Sequence, residues 1–390
     1  MFSSRTDWLL APNSLTRQLE ERRRQGLLVL DLTESNPTRC GFAPEPGILK
    51  LLQDPRSLIY EPDPRGPLCA RQAICEYYSD RGAKITPEQV FLTTSTSEAY
   101  TYAFRLLGDP EDKVLVPQPS YPLFEFLAGI NDLKVVPYPL QYTQEWRIDL
   151  EDVSDRWARG PKVMIVVHPN NPTGSFVKLP ELETLAECCR YGRGALIADE
   201  VFADYALEAG DDRVPSHAAV SEVLTFTLSG LSKISALPQM KLGWLVVSGP
   251  KAELETALER LEVIADTYLS VSAPLAHALP AFLELRKTVQ PRIMERLRSN
   301  LCWLDQQVAS CSVVTRLKVE GGWYTVLKLA GTAIDEDWVV DLLAADGVLV
   351  HPGHFYDFPD EGHLVISLLT DERVFREGIG RILARLSESR

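Results

Sequence analysis

The sequence predicts an α/β protein: a large domain with a mostly parallel sheet covered by helices on both faces, joined to a smaller α/β domain. Three observations carry that expectation. Short apolar strands alternate with helical stretches from Val90 onward. Those strands close repeatedly on polar turns rich in Pro, Asn, Ser and Thr, and in open α/β sheets ligands bind at such endings. The chain has 390 residues, 45% of them hydrophobic, which is enough to build two lobes. Residues 1–48 are expected to form an N-terminal arm and part of the small domain, 49–272 the large domain, and 273–390 the small C-terminal domain.

In chain order, Met1 to Gly26 holds a short apolar patch, Trp8 to Ala11, before a charged helical pattern, so it does not read as a signal peptide. Leu28 to Pro37 starts extended and closes on a polar turn at Asn36-Pro37. Ser35, Asn36 and Arg39 there are candidate substrate contacts. Tyr60 to Tyr78 passes from a Pro/Gly turn into a helix with Ala70, Ile74 and Tyr77 or Tyr78 on its apolar stripe. Val90 to Leu92 is a strand, and hydroxyls from Thr93 to Ser97 lead into a helix over Ala99 to Leu107. Ordinary capping explains part of that run. The unbroken run from Thr93 to Ser97 exceeds what capping needs, so Ser95, Thr96 and Ser97 are candidates for phosphate, which suits free N–H groups with the helix dipole behind them.

Val114 to Val116 ends in Pro117-Gln118-Pro119-Ser120-Tyr121-Pro122, which puts the Tyr121 ring on a Pro-locked turn. Val163 to Val167 ends in His168-Pro169-Asn170-Asn171-Pro172-Thr173-Gly174, a turn that offers the Asn171 amide. Ala195 to Ala198 ends in Asp199-Glu200. Val223 to Leu228 ends in a turn-prone Ser229-Gly230, with Ser232-Lys233 just beyond. A lysine past the end of a buried strand faces a mostly apolar interior. Desolvation lowers its pKa from about 10.4 and frees the amine to attack a carbonyl. Taken alone, the same residue also reads as a solvated surface lysine.

After Trp244, Lys251 to Asp266 is helical, Ser270 to Pro274 is a loop, and a long helical stretch spans Pro274 to Gln307. Val313 to Leu329 reads as strands around Gly321-Gly322, with Tyr324 a candidate for the substrate side. Trp338 to Ala345 is helical, Val348 to Val350 and Leu364 to Leu369 are strands, and Arg373 to Leu386 is a closing helix.

A net charge of −14 disfavours nucleic acid and anionic membrane surfaces as partners. No apolar run is long enough to cross a bilayer. Seven cysteines and six histidines show no metal-ligand spacing, so no metal is expected, and the cysteine usage suits a reducing cytoplasm.

A hydroxyl-rich anion site, an aromatic ring, an amide, a carboxylate and a lysine are all expected along one sheet edge. Pyridoxal 5'-phosphate chemistry needs this set: donors for the phosphate, a face for the ring, a carboxylate beside the ring nitrogen and a lysine for the aldehyde. The chain resembles the class I/II aminotransferases, fold type I of the pyridoxal phosphate enzymes. The resemblance rests on Asn171-Pro172-Thr173-Gly174, Asp199-Glu200, and Ser232-Lys233 followed by Gly243-Trp244. Gly66 with Ala70-Arg71, Pro119-Ser120-Tyr121-Pro122 and Pro352-Gly353 add to it, all in the family's order. It implies that Lys233 is the catalytic Schiff-base lysine, with Asp199 at the pyridine nitrogen. Asn171 reaches the phenolate oxygen and Tyr121 stacks on the ring. Thr96, Ser97 and Ser232 bind phosphate, and Tyr60 does so from the partner subunit of a homodimer.

Three positions depart from the family pattern. Lys241 stands where an arginine usually contacts phosphate, keeping charge but losing the bidentate fork. Phe202 replaces a tyrosine that donates to the phenolate oxygen, unless Tyr205 or another group substitutes. Val365 stands where an arginine clamps the substrate α-carboxylate. Three explanations are open: a substrate without an α-carboxylate, another cation such as Arg39 or His354, or a shifted register. The expected function is transfer of an amino group between a small-molecule donor and an oxo acceptor. Alternatives on the same fold are a C–S lyase, decarboxylase or racemase, or a non-catalytic regulator.

Overall fold

The computed structural model describes residues 1–330 and 336–388, so 331–335 and the last two residues of the expected small domain lie outside the described residues. The chain opens with α1 (Ser14–Arg24), where the Asn13 side chain caps the helix by accepting from Thr16 N. Next come β1 (Leu30–Asp31), α2 (Leu68–Ser79), β2 (Val90–Thr93), α3 (Thr96–Leu107), β3 (Lys113–Gln118) and α4 (Phe124–Gly129). A hairpin of β4 (Lys134–Tyr142) and β5 (Trp146–Ile148) is followed by α5 (Leu150–Trp157), β6 (Val163–Val167), α6 (Leu179–Gly192) and β7 (Ala195–Asp199). Then β8 (Thr225–Gly230) runs into the single turn α7 (Leu231–Ile234), before β9 (Gly243–Ser248), α8 (Lys251–Tyr268), α9 (Ala273–Glu284) and α10 (Arg286–Val308). The last elements are β10 (Val314–Arg316), β11 (Tyr324–Leu329), α11 (Glu336–Asp346), β12 (Val348–Leu349), β13 (His351–Pro352), β14 (His363–Ser367) and α12 (Glu372–Glu388).

The large sheet has eight strands in the order β2-β9-β8-β7-β6-β3-β4-β5. β4, β3, β6, β7 and β8 pair in parallel, while β9 and β5 run against their neighbours. Near-continuous Val, Ile and Leu in β6 and β7 reflect burial on both faces. One face packs Phe226, Ile165 and Val114 against α3, α4 and α8. The other packs Met164, Leu196 and Leu115 against α5 and α6. A four-stranded sheet, β10-β11-β14-β13, centres the small domain, and β1 pairs with β12.

Four details differ from the sequence reading. Ser229 and Gly230 are not a turn; they extend β8 and pair with Trp244 and Gly243. The glycines make that possible, because a Cβ on Gly230 would lie only 2.9 Å from Gly243 Cα. The stretch Pro274 to Gln307 is two helices meeting at Leu285. The β4–β5 hairpin has no clear sequence signal, since Pro137 and Pro139 argue against a strand. Both prolines lie in register with β3, Pro139 O also accepts from Asp149 N just past β5, and β5 joins β4 at Leu140 to Tyr142. Finally, α9 buries Ala276, Leu279 and Phe282 with Trp244 and Leu92 of the large domain, while α10 puts Ile293 and Leu297 into the small-domain core.

Candidate active site

The ends of β2, β3, β6, β7 and β8 lie along one edge of the sheet, as their shared direction requires. Lys233 sits on α7 directly beyond β8. The Tyr205 hydroxyl donates to the Lys233 carbonyl at 2.6 Å, and Gln290 Nε2 donates to Ile234 O at 2.9 Å. The lysine amine is 5.0 Å from the Trp323 ring and 5.4 Å from the Phe202 ring. This apolar setting lowers its pKa from 10.5 to about 8, against the opposing pull of the Asp199 charge.

Asp199 ends β7. Its Oδ1 accepts from Val201 N and its Oδ2 from the Tyr100 hydroxyl, both at 3.1 Å. Burial raises its pKa from 3.8 to about 6; those two hydrogen bonds and Lys233 pull it down, and Glu200 pushes it up. Between these two pKa values the site holds a carboxylate and an ammonium together.

The turns after β3 and β6 are fastened to each other. Ser120 Oγ donates to Asn170 Oδ1, and Asn170 Nδ2 donates to Pro119 O and Thr173 Oγ1. Asn170 is therefore consumed by structure. Asn171 is not: its Oδ1 is buried without a hydrogen-bond partner. Tyr121, beside Ser120, leaves 44% of its surface exposed.

At the start of α3, the Ser95 side chain accepts from Glu98 N at 3.2 Å and is the N-cap. Thr96 and Ser97 form the first helical positions, whose N–H groups have no acceptor within the helix. A Cβ on Gly243 would come within 3.1–3.3 Å of Ser229 O, the Ser95 carbonyl carbon and Thr93 Oγ1. Glycine lets this backbone close around the start of α3. Ser232 is half-buried on α7, whereas Lys241 is exposed, in the left-handed region with φ +50°.

On the substrate side, a cavity of about 570 Å³ is bounded by Lys233, Ser35, Asn36, Arg39 and His351. Tyr324 OH donates to Ser35 Oγ at 2.7 Å, so the turn after β1 meets β11 beside Phe202. Asn36 Oδ1 accepts from Thr38 N and Oγ1, a local turn. Arg39 lies 3.5 Å from Glu34 and is 73% exposed. His354 is not on the cavity wall; its Nε2 is 3.9 Å from Glu336. His351 and Phe355 face the cavity instead. Tyr60 also lies elsewhere, 82% exposed on the wall of a second cavity of about 560 Å³ with Tyr102, Ser270 and His277.

Sequence reading missed Tyr100 and His351. Tyr100 had a usable signal: four residues after Thr96, it shares the helix face that starts at the hydroxyl run. His351 had none, being a lone histidine beside a short strand.

A family model, "Aminotransferase class I and II", matches residues 43–382. The chain belongs to the class I and II aminotransferases. Among similar proteins, the glutamate-pyruvate aminotransferase of Haemophilus influenzae is 28% identical over 96% of this chain and 93% of its own. The alanine aminotransferase of Mycobacterium tuberculosis is 27% identical, covering 92% and 85%. The fold matches alanine aminotransferase from Pyrococcus furiosus with a TM-score of 0.90 over the whole of both chains, at 24% identity. This aminotransferase thus belongs to a pyridoxal phosphate-dependent family, and the donor set suits that cofactor. Asn171 presents a buried amide whose Oδ1 has no partner, Gly243 lets the backbone close around the first turn of α3, and Lys233 is a desolvated amine that feels the charge of Asp199. Among the described residues, no helix is long and apolar enough to cross a membrane.

Proposed function

We propose that this aminotransferase exchanges an amino group between a small-molecule amine and an oxo acceptor, with Lys233 as its covalent anchor and proton carrier. The observation that carries the reading is the pair formed by Lys233, lowered to about 8, and Asp199, raised to about 6, at one sheet edge. Bound pyridoxal phosphate supplies an aldehyde and an electron-withdrawing ring. Lys233 Nζ holds the aldehyde and, when free, takes and returns a proton at the carbon bearing the amino group; a pKa near ambient pH suits both directions. Asp199 keeps the ring nitrogen protonated. Asn171 donates to the phenolic oxygen, and Tyr121 covers the ring. The N–H groups of Thr96 and Ser97, with the Ser232 hydroxyl and Lys241, hold the phosphate.

The reading extends to a homodimer in a cytoplasmic setting. Tyr60, Ile59 and Leu58 are exposed together and do not line the Lys233 cavity, which suits a role against a second copy. Seven free cysteines accord with a reducing compartment. The names of the relatives make L-alanine, L-glutamate and pyruvate the first compounds to assay. Borohydride reduction of the cofactor-loaded protein followed by peptide mapping tests the reading. It expects an adduct on Lys233; an adduct on another amine overturns it.

A further inference from the structure

The turn that carries Lys233 does not hold itself. α7 is a single turn, Leu231–Ile234, too short to be stable alone, and a helix leaves its last carbonyls without partners of its own. Just past its end the backbone enters the left-handed region at buried Ala236, φ +55°, where a residue with a Cβ is strained. Strain of this kind persists where the surroundings impose it.

Three donors impose it here. Ala236 N donates to Lys233 O at 3.2 Å from within the turn. The Tyr205 hydroxyl donates to the same oxygen from the segment after β7. The third donor is Gln290 Nε2 on α10, 2.9 Å from Ile234 O.

The Gln290 amide is itself aimed. Its nitrogen also donates to Asp204 Oδ2 at 2.9 Å. Both partners are acceptors, so the nitrogen end of the amide must face them, and each takes one of its hydrogens. Asp204 is fixed in turn. Arg81 Nη1 donates to its Oδ1 at 2.8 Å, and the Tyr77 hydroxyl lies 3.3 Å from both of its oxygens. Its side chain is 12% exposed. Arg81 is anchored beyond this by donating to Pro215 O at 2.9 Å. Gln290 thus joins two parts of the fold. Its own helix puts Ile293 and Leu297 into the small-domain core, while Tyr77 sits on α2 and packs with Trp244 of the large sheet.

We infer that Gln290 is a positioning residue for amino-group transfer: by gripping Ile234 O it fixes the backbone from which the Lys233 amine swings, and ties that backbone to α10. This rests on the proposed function of Lys233 and deepens it. An amine that holds an aldehyde and then carries a proton must reach two places from one Cα. Proton transfer therefore suffers from a small backbone shift, whereas substrate contacts made elsewhere on the cavity wall do not.

Two variants remove the grip. Gln290→Met keeps the side-chain length without a donor, and Gln290→Glu keeps the shape while facing Asp204 with a like charge. Asn300→Leu is the control. That buried amide on the same helix donates to Leu368 O and Thr370 O, at 2.9 and 2.8 Å, in the segment after β14. In the apoprotein, amide hydrogen exchange across residues 231–237 should quicken about tenfold in both Gln290 variants and stay at the parent rate in the control. In the loaded enzyme assayed with L-glutamate and pyruvate, the Gln290 variants should lose about tenfold in kcat with KM held within about twofold. The primary isotope effect with α-deuterated L-glutamate should grow, as proton transfer becomes limiting. Parent-like exchange or parent-like kcat in the Gln290 variants overturns the inference. So does an equal loss of kcat in Asn300→Leu, which would mark general loosening of α10. Mapping of the borohydride adduct separates the failures. An adduct on Lys233 beside any of those results sinks the positioning role alone, whereas an adduct on another amine sinks the proposed function itself.

Discussion

The Tyr100 hydroxyl donates to Asp199 Oδ2 at 3.1 Å, tying the helix that begins at Thr96 to the carboxylate at the end of β7. Tyr100 is buried, and its bond favours the charged form of Asp199 against the desolvation that raises it to about 6. Tyr100→Phe should therefore raise the Asp199 pKa further, read by carboxyl-selective infrared titration of the apoprotein. Cofactor affinity should fall about five- to tenfold, within the ~0.5–1.5 kcal/mol net worth of one ordinary hydrogen bond. An unchanged carboxyl titration would assign Tyr100 to packing alone.

Lys233 burdens the fold below its own pKa. In the folded chain the amine loses its proton near pH 8, and in the unfolded chain near 10.5. Below pH 8 both states are protonated and the folded state bears the full desolvation cost. From about pH 8 to 10.5 only the folded state sheds the proton, and the cost falls away. Lys233→Met apoprotein should thus be more stable than the parent at pH 7 by about 1–3 kcal/mol, Asp199 losing its countercharge being the offset. The advantage should vanish above pH 10, as followed by urea unfolding.

Phe202 offers no donor, and Tyr205 does not replace it, since its hydroxyl is committed to the Lys233 carbonyl at 2.6 Å. Phe202→Tyr should lower the pH at which the bound cofactor's absorbance changes by about one unit, through a hydrogen bond to the phenolic oxygen. A variant titrating like the parent would show that the ring at 202 does not reach that oxygen.

Lys178 and Glu320 form a buried ion pair, 1% and 5% exposed, and Arg213 lies 3.2 Å from the same carboxylate. Glu320 also accepts from Phe176 N at 3.1 Å, so the small domain is pinned to the turn after β6. Glu320→Ala leaves two cations without their partner and should destabilise the protein by about 3–5 kcal/mol in thermal unfolding. The double variant Lys178→Met, Glu320→Leu should recover more than half of that loss.

Analytical ultracentrifugation should give about twice the 43.6 kDa chain mass. Ile59→Asp, which puts a charge into the exposed patch with Leu58 and Tyr60, should shift the population toward monomer. A monomeric parent would remove Tyr60 from the phosphate site.

What the sequence made legible follows from how far each signal acts along the chain. Strands such as Val163–Val167, buried on both faces, announce themselves by composition. Turns such as Asn171-Pro172-Thr173-Gly174 do so because proline and glycine constrain the backbone locally. The shared edge was legible because parallel strands fix where their ends fall. Hidden features depend on contacts across the fold. Tyr100 is 99 residues from Asp199, and Tyr324 is 289 from Ser35. The sequence does not separate His354 from His351, because the short β13 and the turn after it leave no periodicity to say which ring turns toward the cavity. Gly230 was read as a turn because a glycine that admits a facing glycine looks the same in sequence as one that reverses the chain.

The three side-chain bonds of Asn170 make the Pro119–Tyr121 segment and the Asn171–Gly174 segment a single plate. Tyr121 and Asn171 therefore keep a fixed backbone spacing however the rest of the pocket diverges. Anyone redesigning this enzyme for a new amine should transplant both loops together with that asparagine, or neither. A chimaera carrying only one would inherit the residues without their alignment.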